Sequence, residues 1–578
     1  MRSNLIFSRR EKVAGAALGL LLLVARSLVA QDRAIPFWPD EVPAAIHAEV
    51  DGVAALETVR ELGRFHRVHG SPGFAAAAEH MKQKLLAAGL TDASIERFPA
   101  DGKERGAAGF LSDFPNQATA WTGDDRDLVR WGHLDPYETS NRFAFMLSRR
   151  QAEELRARLA GGEKLVLHAR VRAKMVPATY DVVVATIPGM DSSAGEVVLT
   201  AHLCHESAGA NDNASGSAAI LEVARALRAA IHKQTLMRPP RTIRFLWLPE
   251  IAGSQAYLVR HPEVAKRLAA GIHMDMVGGL LATTKGTFHL SRTAETLPHA
   301  ANAIARAWFE QIVAASAHYA ERGGDSYAGF AWPSGSREVF LGDIRPLEMG
   351  SDHEVFEESS FAVPMVYFHD WPDVTIHTNK DQPENLDATK LGRVAYMGAG
   401  IAWTLAALPE AEAPRLLAAT LADAEERIVR ANAASGAEAP LVRREAAAAG
   451  IETLQSVARL WPSTEPAVAA ATERMRRLLP APGDRKPADG RIPVRNPAIR
   501  GPLDVYYYSY LGDAAIDVTA PHLDSDILRF EAFNLVDGKR SVSEVRDILA
   551  GRYGAAPLPE VAAYFDMLAK AGAVRFSP

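Results

Sequence analysis

The chain has a single cysteine, Cys204, in 578 residues, so an intrachain disulfide framework is excluded. Cys204 then reads as a small buried filler or a soft ligand among the polar residues around it. An excess of one charge is also missing. A formal net charge of −6 over this length leaves no electrostatic footprint for a nucleic acid, and no nucleic-acid partner is expected. No internal repeat of solenoid period occurs. The apolar run Val13–Ala25 is too short for a comfortable membrane crossing, so no stable membrane span is expected. Arg2, Arg9, Arg10 and Lys12 precede that run and Ala30 follows it, the charged, apolar, then small order of a secretory signal over residues 1–30. Export to the periplasm or the extracellular space is expected, with a signal anchor as the alternative because Leu28 fits a cleavage site imperfectly.

The hydrophobic (48%) and charged (23%) fractions suit a globular chain, and the length asks for two or three domains. Helical spacing predicts helices over 53–65, 75–88, 151–159, 297–317 and 391–406. Apolar runs predict strands over 95–98, 181–187, 197–199, 241–248, 271–274 and 363–368, and Lys164–Val171 is β-rich. Arg337–Met349 reads as irregular. Alternating strands and helices give an α/β domain with a largely parallel central sheet. Residues 406–480 read as helical throughout, 481–502 as a Pro- and Gly-rich linker, and 503–578 as a small domain. Within that domain Ser541 and Glu544 form a capping-box pair.

The organising stretch is Glu196–Ala224. A strand runs into a loop holding His202, Cys204, His205, Asn211, Asp212 and Asn213, and a helix follows. Such an edge is where open α/β sheets bind ligands. Asp212 falls near the predicted helix start, where the dipole favours a negative charge, although an ordinary capping role explains it equally well. Glu250, Asp275 and His377 lie just past the ends of later predicted strands. Two histidines and three carboxylates at one sheet edge suit a pair of zinc ions with one bridging carboxylate. His205 reads as a partner supporting a ligand or as a solvent-facing loop residue. Asp352, His353 and Glu354 read as groups that shape the site.

His202 with Gly209–Gly216, Gly253-Ser254, Asp275-Met276, Ser351-Asp352-His353 and His377-Thr378 with Asp381 resembles the co-catalytic zinc aminopeptidases, metallopeptidase family twenty-eight. The resemblance implies a phosphorylase/hydrolase-like mixed sheet sandwiched by helices, here over 31–405, with 104–178 similar to a trimmed protease-associated insertion. It also implies that His202 and Asp275 hold one metal, that His377 and a Glu hold the other, and that Asp212 bridges. Two departures stand out. Pro249-Glu250 replaces the family's adjacent Glu pair, and Cys204 replaces an Asp that orients a ligand. Glu250 is then the general base beside one metal, or a ligand with another group such as Glu354 as base. The segment Leu535–Val545 with Tyr553, Leu568 and Gly572–Val574 resembles small winged-helix peptide-binding domains, which implies docking of a peptide or protein. The expected function is hydrolysis of a peptide or small amide near a free amino terminus, with one or two zinc ions. The alternatives are a single-zinc aminoacyl cyclisation like that of glutaminyl cyclases, and a degenerate peptide receptor.

Overall fold

Runs of valine, isoleucine and leucine build the spine of the protein, because side chains that alternate between two covered faces must both be apolar. The computed structural model describes residues 35–100, 111–112, 125–130, 132–133, 143–171, 177–322, 331–477, 487–505, 508–514, 523, 525–554 and 556–577. The leader-like residues 1–30, parts of the 104–178 insertion and the start of the linker lie outside them. Eight strands form one sheet: β1 (Ser94–Pro99), β2 (Thr179–Ile187), β3 (Glu196–His202), β4 (Thr242–Leu248), β5 (Leu268–Asp275), β6 (Thr287–Ser291), β7 (Gly342–Arg345) and β8 (Met365–Trp371). Their order is β1-β2-β4-β3-β5-β8-β6-β7. The central β4, β3, β5 and β8 are parallel, whereas β1, β2 and β6 join antiparallel, so the sheet is mixed.

In β3, Val197, Leu199 and Ala201 face the larger core and Val198 faces the smaller one. Helices α1 (Gly52–Leu62), α2 (Pro72–Ala87), α3 (Gly216–His232), α4 (Ala301–Arg322) and α5 (Ala388–Ala407) cover the first face. Tyr257 and Leu258 of the helix 252–260, with Val355 and Phe356 of the short helix 353–357, cover the second. Asp51, Ser71 and Asp387 cap α1, α2 and α5 through their side chains, which fixes where those helices start.

Four features differ from the sequence expectation. β6 and β7 are strands of the sheet, and β7 falls inside the stretch that reads as irregular. The β-rich pattern of 164–171 makes no strand, and Val166 and Leu167 stay 84% and 78% exposed. The helix predicted from Leu297 starts at Ala301, past Pro298. The supposed linker contributes β9 (Pro493–Arg495), which pairs antiparallel with β10 (Val574–Phe576). Proline is tolerated there because it opens an edge strand.

The described part of 406–480, up to residue 477, holds the helices α6 (Ala413–Asn432), α7 (Ala439–Leu460) and α8 (Glu465–Arg476) and no strand. The C-terminal unit holds α9 (Asp526–Asn534), α10 (Val542–Tyr553) and α11 (Leu558–Lys570) around its own core, and the Ser541/Glu544 capping box is present. Among the described residues, no helix is long and apolar enough to cross a membrane.

The C-terminal unit docks on the same chain. The Glu531 carboxylate accepts from the backbone N–H groups of Glu295 (2.7 Å) and Thr296 (3.2 Å) and from the hydroxyls of Thr296 and Tyr553. Arg495 pairs with Glu358, and Phe530 packs with Ala294 and Leu347. Buried acids gather near this seam. Burial pushes Glu354 up to about 8 and raises Glu357 and Glu531 as well. The unfolded chain releases the Glu354 proton near pH 4.3, whereas the folded chain keeps it to about pH 8, so stability falls as pH rises across that window. Glu354→Gln should therefore flatten the stability–pH profile between about pH 5 and 8. The slope lost is up to about 1.4 kcal/mol per pH unit. Denaturant titrations at a series of pH values check this, and identical slopes in the two proteins would refute it.

Candidate metal centre

The centre is assembled where the parallel strands end. His202 is the last residue of β3 and Asp275 the last of β5, while Glu250 lies two residues beyond β4. Asp212 is not at the helix start. It sits in a turn before α3 with φ −103° and ψ 100°. That turn is wired on both sides. The Asn211 carboxamide accepts from Gly278 N–H (3.0 Å) and donates to Asp373 (2.8 Å). Asn213 accepts from Gly216 N–H (2.8 Å) and Met276 N–H (3.1 Å) and donates to the Met274 carbonyl (2.9 Å). The backbone N–H groups of Asn211 and Asp212 donate to the Asp381 carboxylate at 2.6 and 3.0 Å. The Asn-Asp-Asn string thus commits its flanking side chains to backbone groups and to Asp373 and leaves the Asp212 carboxylate for the site. Gly216 is required here, since a Cβ would fall 2.2 Å from the Met274 carbonyl oxygen.

Asp212 offers one oxygen to each of two donor groups. Its Oδ1 lies 3.3 Å from His202 Nε2, which is 3.2 Å from Asp275 Oδ1. Its Oδ2 lies 3.0 Å from His377 Nε2 and 3.4 Å from His205 Nε2. These form two of the three-donor clusters among the described residues, His202/Asp212/Asp275 and His205/Asp212/His377. A third joins His202, Cys204 and Glu250. No such cluster joins Glu250 to His377. Beside His377 and Asp212, the cluster among the described residues holds His205 and no Glu.

The donors fit a metal. His202 Nε2 and Asp275 Oδ1 are buried and make no hydrogen bond. Donors sharing a tetrahedral zinc at about 2.0–2.1 Å lie about 3.3 Å apart, close to the spacings above. The outward ring nitrogens are fixed as well. His202 Nδ1–H donates to the Cys204 carbonyl (3.0 Å), which leaves its lone pair on Nε2. Asp275 is held to one free oxygen, because Oδ2 accepts from the Ser351 hydroxyl (2.7 Å). Ser351 in turn meets His273 Nε2 (2.8 Å), whose Nδ1 meets the Thr200 hydroxyl (2.8 Å). His273 and Thr200 went unnoticed in the sequence because they carry no motif and lie inside strands.

Charge follows the same geometry. Burial opposes ionisation of Asp212, but His205, His202 and His377 outweigh it and hold the carboxyl well below its usual range. Burial lowers His202, yet Asp275 and Glu250 reverse this and raise it well above the ordinary imidazole value. Burial, with Cys204, Asp275 and Asp352 nearby, pushes half-buried Glu250 well above the usual carboxyl range despite His202. Burial raises the Cys204 thiol, but His69 and His202 bring it down to about 7.

The remaining sequence candidates support rather than join the donors. Asp352 Oδ1 accepts from Ile251 N–H (2.6 Å) and the Ser254 hydroxyl (2.7 Å), which holds the turn carrying Glu250. Ile251 there has φ 59°, an uncommon conformation for a β-branched residue. Glu250 N–H itself donates to Cys204 Sγ at 3.1 Å. His353 stacks on Tyr367 at 4.1 Å and contacts the Glu348 carbonyl through Nε2 (2.8 Å). Glu354 accepts from Gly350 N–H and belongs to none of the three clusters.

Comparisons with known proteins bear on this stretch. Leucine aminopeptidase 1 of Arthroderma otae is 34% identical over 111 residues, 17% of this chain and 28% of that protein. The chain thus spans under a third of that relative's length. Among solved structures, an aminopeptidase from Aneurinibacillus sp. strain AM-1 covers 64% of this chain and 97% of its own at 16% identity, with a TM-score of 0.40. A putative peptidase from Clostridium acetobutylicum covers 93% and 99% at 12% identity, with a TM-score of 0.43. Residues 182–402, which contain every clustered donor, match the family model described as Peptidase family M28.

Proposed function

We propose that the protein is a zinc-dependent aminopeptidase that hydrolyses an amide near a free amino terminus of a peptide or small amide substrate. The observation that carries the reading is the shared Asp212, one oxygen toward His202 and Asp275 and the other toward His377. His202, Asp212 and Asp275 would hold one ion, and Asp212 with His377 would serve a second. Zinc bound there supplies Lewis acidity and lowers the pKa of a water ligand towards neutrality. Glu250, two residues past the end of β4 and beside His202, takes the proton from that water on its carboxylate. Asp352 and Cys204 keep Glu250 in place through the backbone on either side of its Cα. Glu250 lies in a cluster with His202 and Cys204 and in none with His377, which supports the base role over that of a ligand beside His377.

Elemental analysis of purified protein tests the metal. Wild type should carry zinc, and His202→Ala and Asp275→Ala should carry less. Equal zinc in all three would end the assignment. Zinc-loaded protein incubated with a peptide library and followed by mass tests the reaction. Peptides shortened from the amino terminus are expected. Loss of ammonia or water from an amino-terminal Gln or Glu would mean cyclisation instead, and bound but unchanged peptides a receptor. Glu250→Gln should lower turnover by about 10²–10⁴-fold with zinc retained, as removal of a general base does. Undiminished turnover would show that Glu250 is no base.

A further inference from the structure

We infer that His205 is the third protein donor of the second metal position, with Asp212 and His377, and that Arg67 is the residue that positions it. The inference rests on the zinc-peptidase reading and extends it to a residue that the family resemblance leaves without a metal role. His205 Nε2 is 3.4 Å from the same Asp212 oxygen that lies 3.0 Å from His377 Nε2, and the two rings are 5.9 Å apart. Its Nδ1–H donates to the Glu206 carbonyl at 2.9 Å, which leaves the lone pair on Nε2, the arrangement also seen at His202. A zinc ligand needs this tautomer.

The loop is built around this ring. Arg67 is fully buried, and its guanidinium donates to the carbonyls of Leu62, Phe65, Leu203, Ala208 and Gly209. Three of those carbonyls bracket His205 on both sides in sequence. The backbones of Arg67 and His205 also exchange N–H···O bonds of 2.8 and 3.1 Å. Gly209 completes the seat. Its φ is +56°, and a Cβ would fall 2.3 Å from His205 Nδ1. A planar fork with five donors reaches so many carbonyls, and an ammonium does not. A histidine that merely filled a loop would need none of this buried positive scaffolding.

An imidazole in place of a carboxylate has a chemical consequence. The centre keeps one more positive charge when two ions are bound, and Glu250 is left to act as a base. The chain therefore does not need the second Glu that Pro249 displaces.

The test counts and ranks metal ions rather than activity. Wild type, His205→Ala, His205→Glu and Arg67→Lys are stripped and titrated with zinc against a chromogenic chelator. Cobalt(II) absorption then reports each ion's surroundings. Wild type should bind two ions. His205→Ala should lose the weaker one and keep the other, and His205→Glu should restore it. Arg67→Lys should weaken the second ion about 10–100-fold, the usual effect of removing a group that orients a ligand, with the first ion unchanged. Two ions of unchanged affinity in His205→Ala, or a wild type that binds only one, would overturn the His205 assignment while leaving a metallopeptidase. A wild type that binds no zinc sinks the zinc reading itself. Unchanged second-ion affinity and cobalt spectrum in Arg67→Lys would overturn the positioning role. If that variant does not fold, the paired His205 variants decide the metal assignment, and Arg67→Gln, read by the same cobalt band, decides the role of Arg67.

Discussion

The Asp212 carboxylate is the constraint on which the rest of the centre depends. A buried charge is costly unless it is paired and hydrogen-bonded. Three imidazoles meet this one through both oxygens, and no other carboxylate among the described residues clusters with both sets of donors. Its backbone is accordingly held by Asp381, and its two neighbours are held by the ends of β5 and the residues after it. Moving any of these anchors would tilt one carboxylate oxygen away from one set of donors. The Asn-Asp-Asn string is thus a local solution to a long-range problem, the placing of one charge between loops from different strands.

How far this could be read in the sequence follows from where each residue's position is decided. β2, β4 and β8 are runs of apolar residues covered on both faces, so their existence is written locally. β7 is Gly-Asp-Ile-Arg at the edge of the sheet, with alternate residues exposed, and only pairing with β6 makes it a strand. Lys164–Val171 is the converse, a strand-like pattern that finds no partner among the described residues. His202 and Asp275 were legible because each closes a strand, and His377 because its surroundings match a family motif. His205 was legible only as a partner supporting a ligand or a solvent-facing residue, since its place is set by Arg67, which is distant in sequence and has no signature of its own. Glu354 lies in a polar cluster that reads as shaping the site, and its carboxyl accepts from Gly350 N–H, a contact that no motif announces.

The departure at Pro249-Glu250 and the presence of His205 are two sides of one arrangement. A single acidic residue after β4 cannot both bind a metal and move a proton. On the proposed reading the two tasks fall to different loops. The β3 loop carries His205 beside His377, while the β4 turn carries Glu250 beside His202 and Cys204. Cys204 links the two, because its sulfur accepts the Glu250 N–H and its carbonyl accepts from His202. A carboxylate at that position would add a charge next to Glu250, whose acidity burial already suppresses. The Cys204 sulfur fills the space and fixes the turn by accepting the Glu250 N–H.

The same economy of contacts ties the C-terminal unit to the chemistry. Asp352, which holds Ile251 and hence the Glu250 turn, belongs to the loop between Leu347 and Glu358. One end of that loop packs Leu347 against Phe530 of α9, and the other pairs Glu358 with Arg495 of β9. The loop is therefore clamped at both ends by the C-terminal unit, with the residue that supports Glu250 between the clamps. Ile251 is held at a positive φ that a β-branched residue resists, and such a conformation persists only where the surroundings over-determine it. Part of that over-determination comes from outside residues 182–402. The C-terminal unit is thus joined to the turn that carries Glu250 through one short, doubly anchored loop.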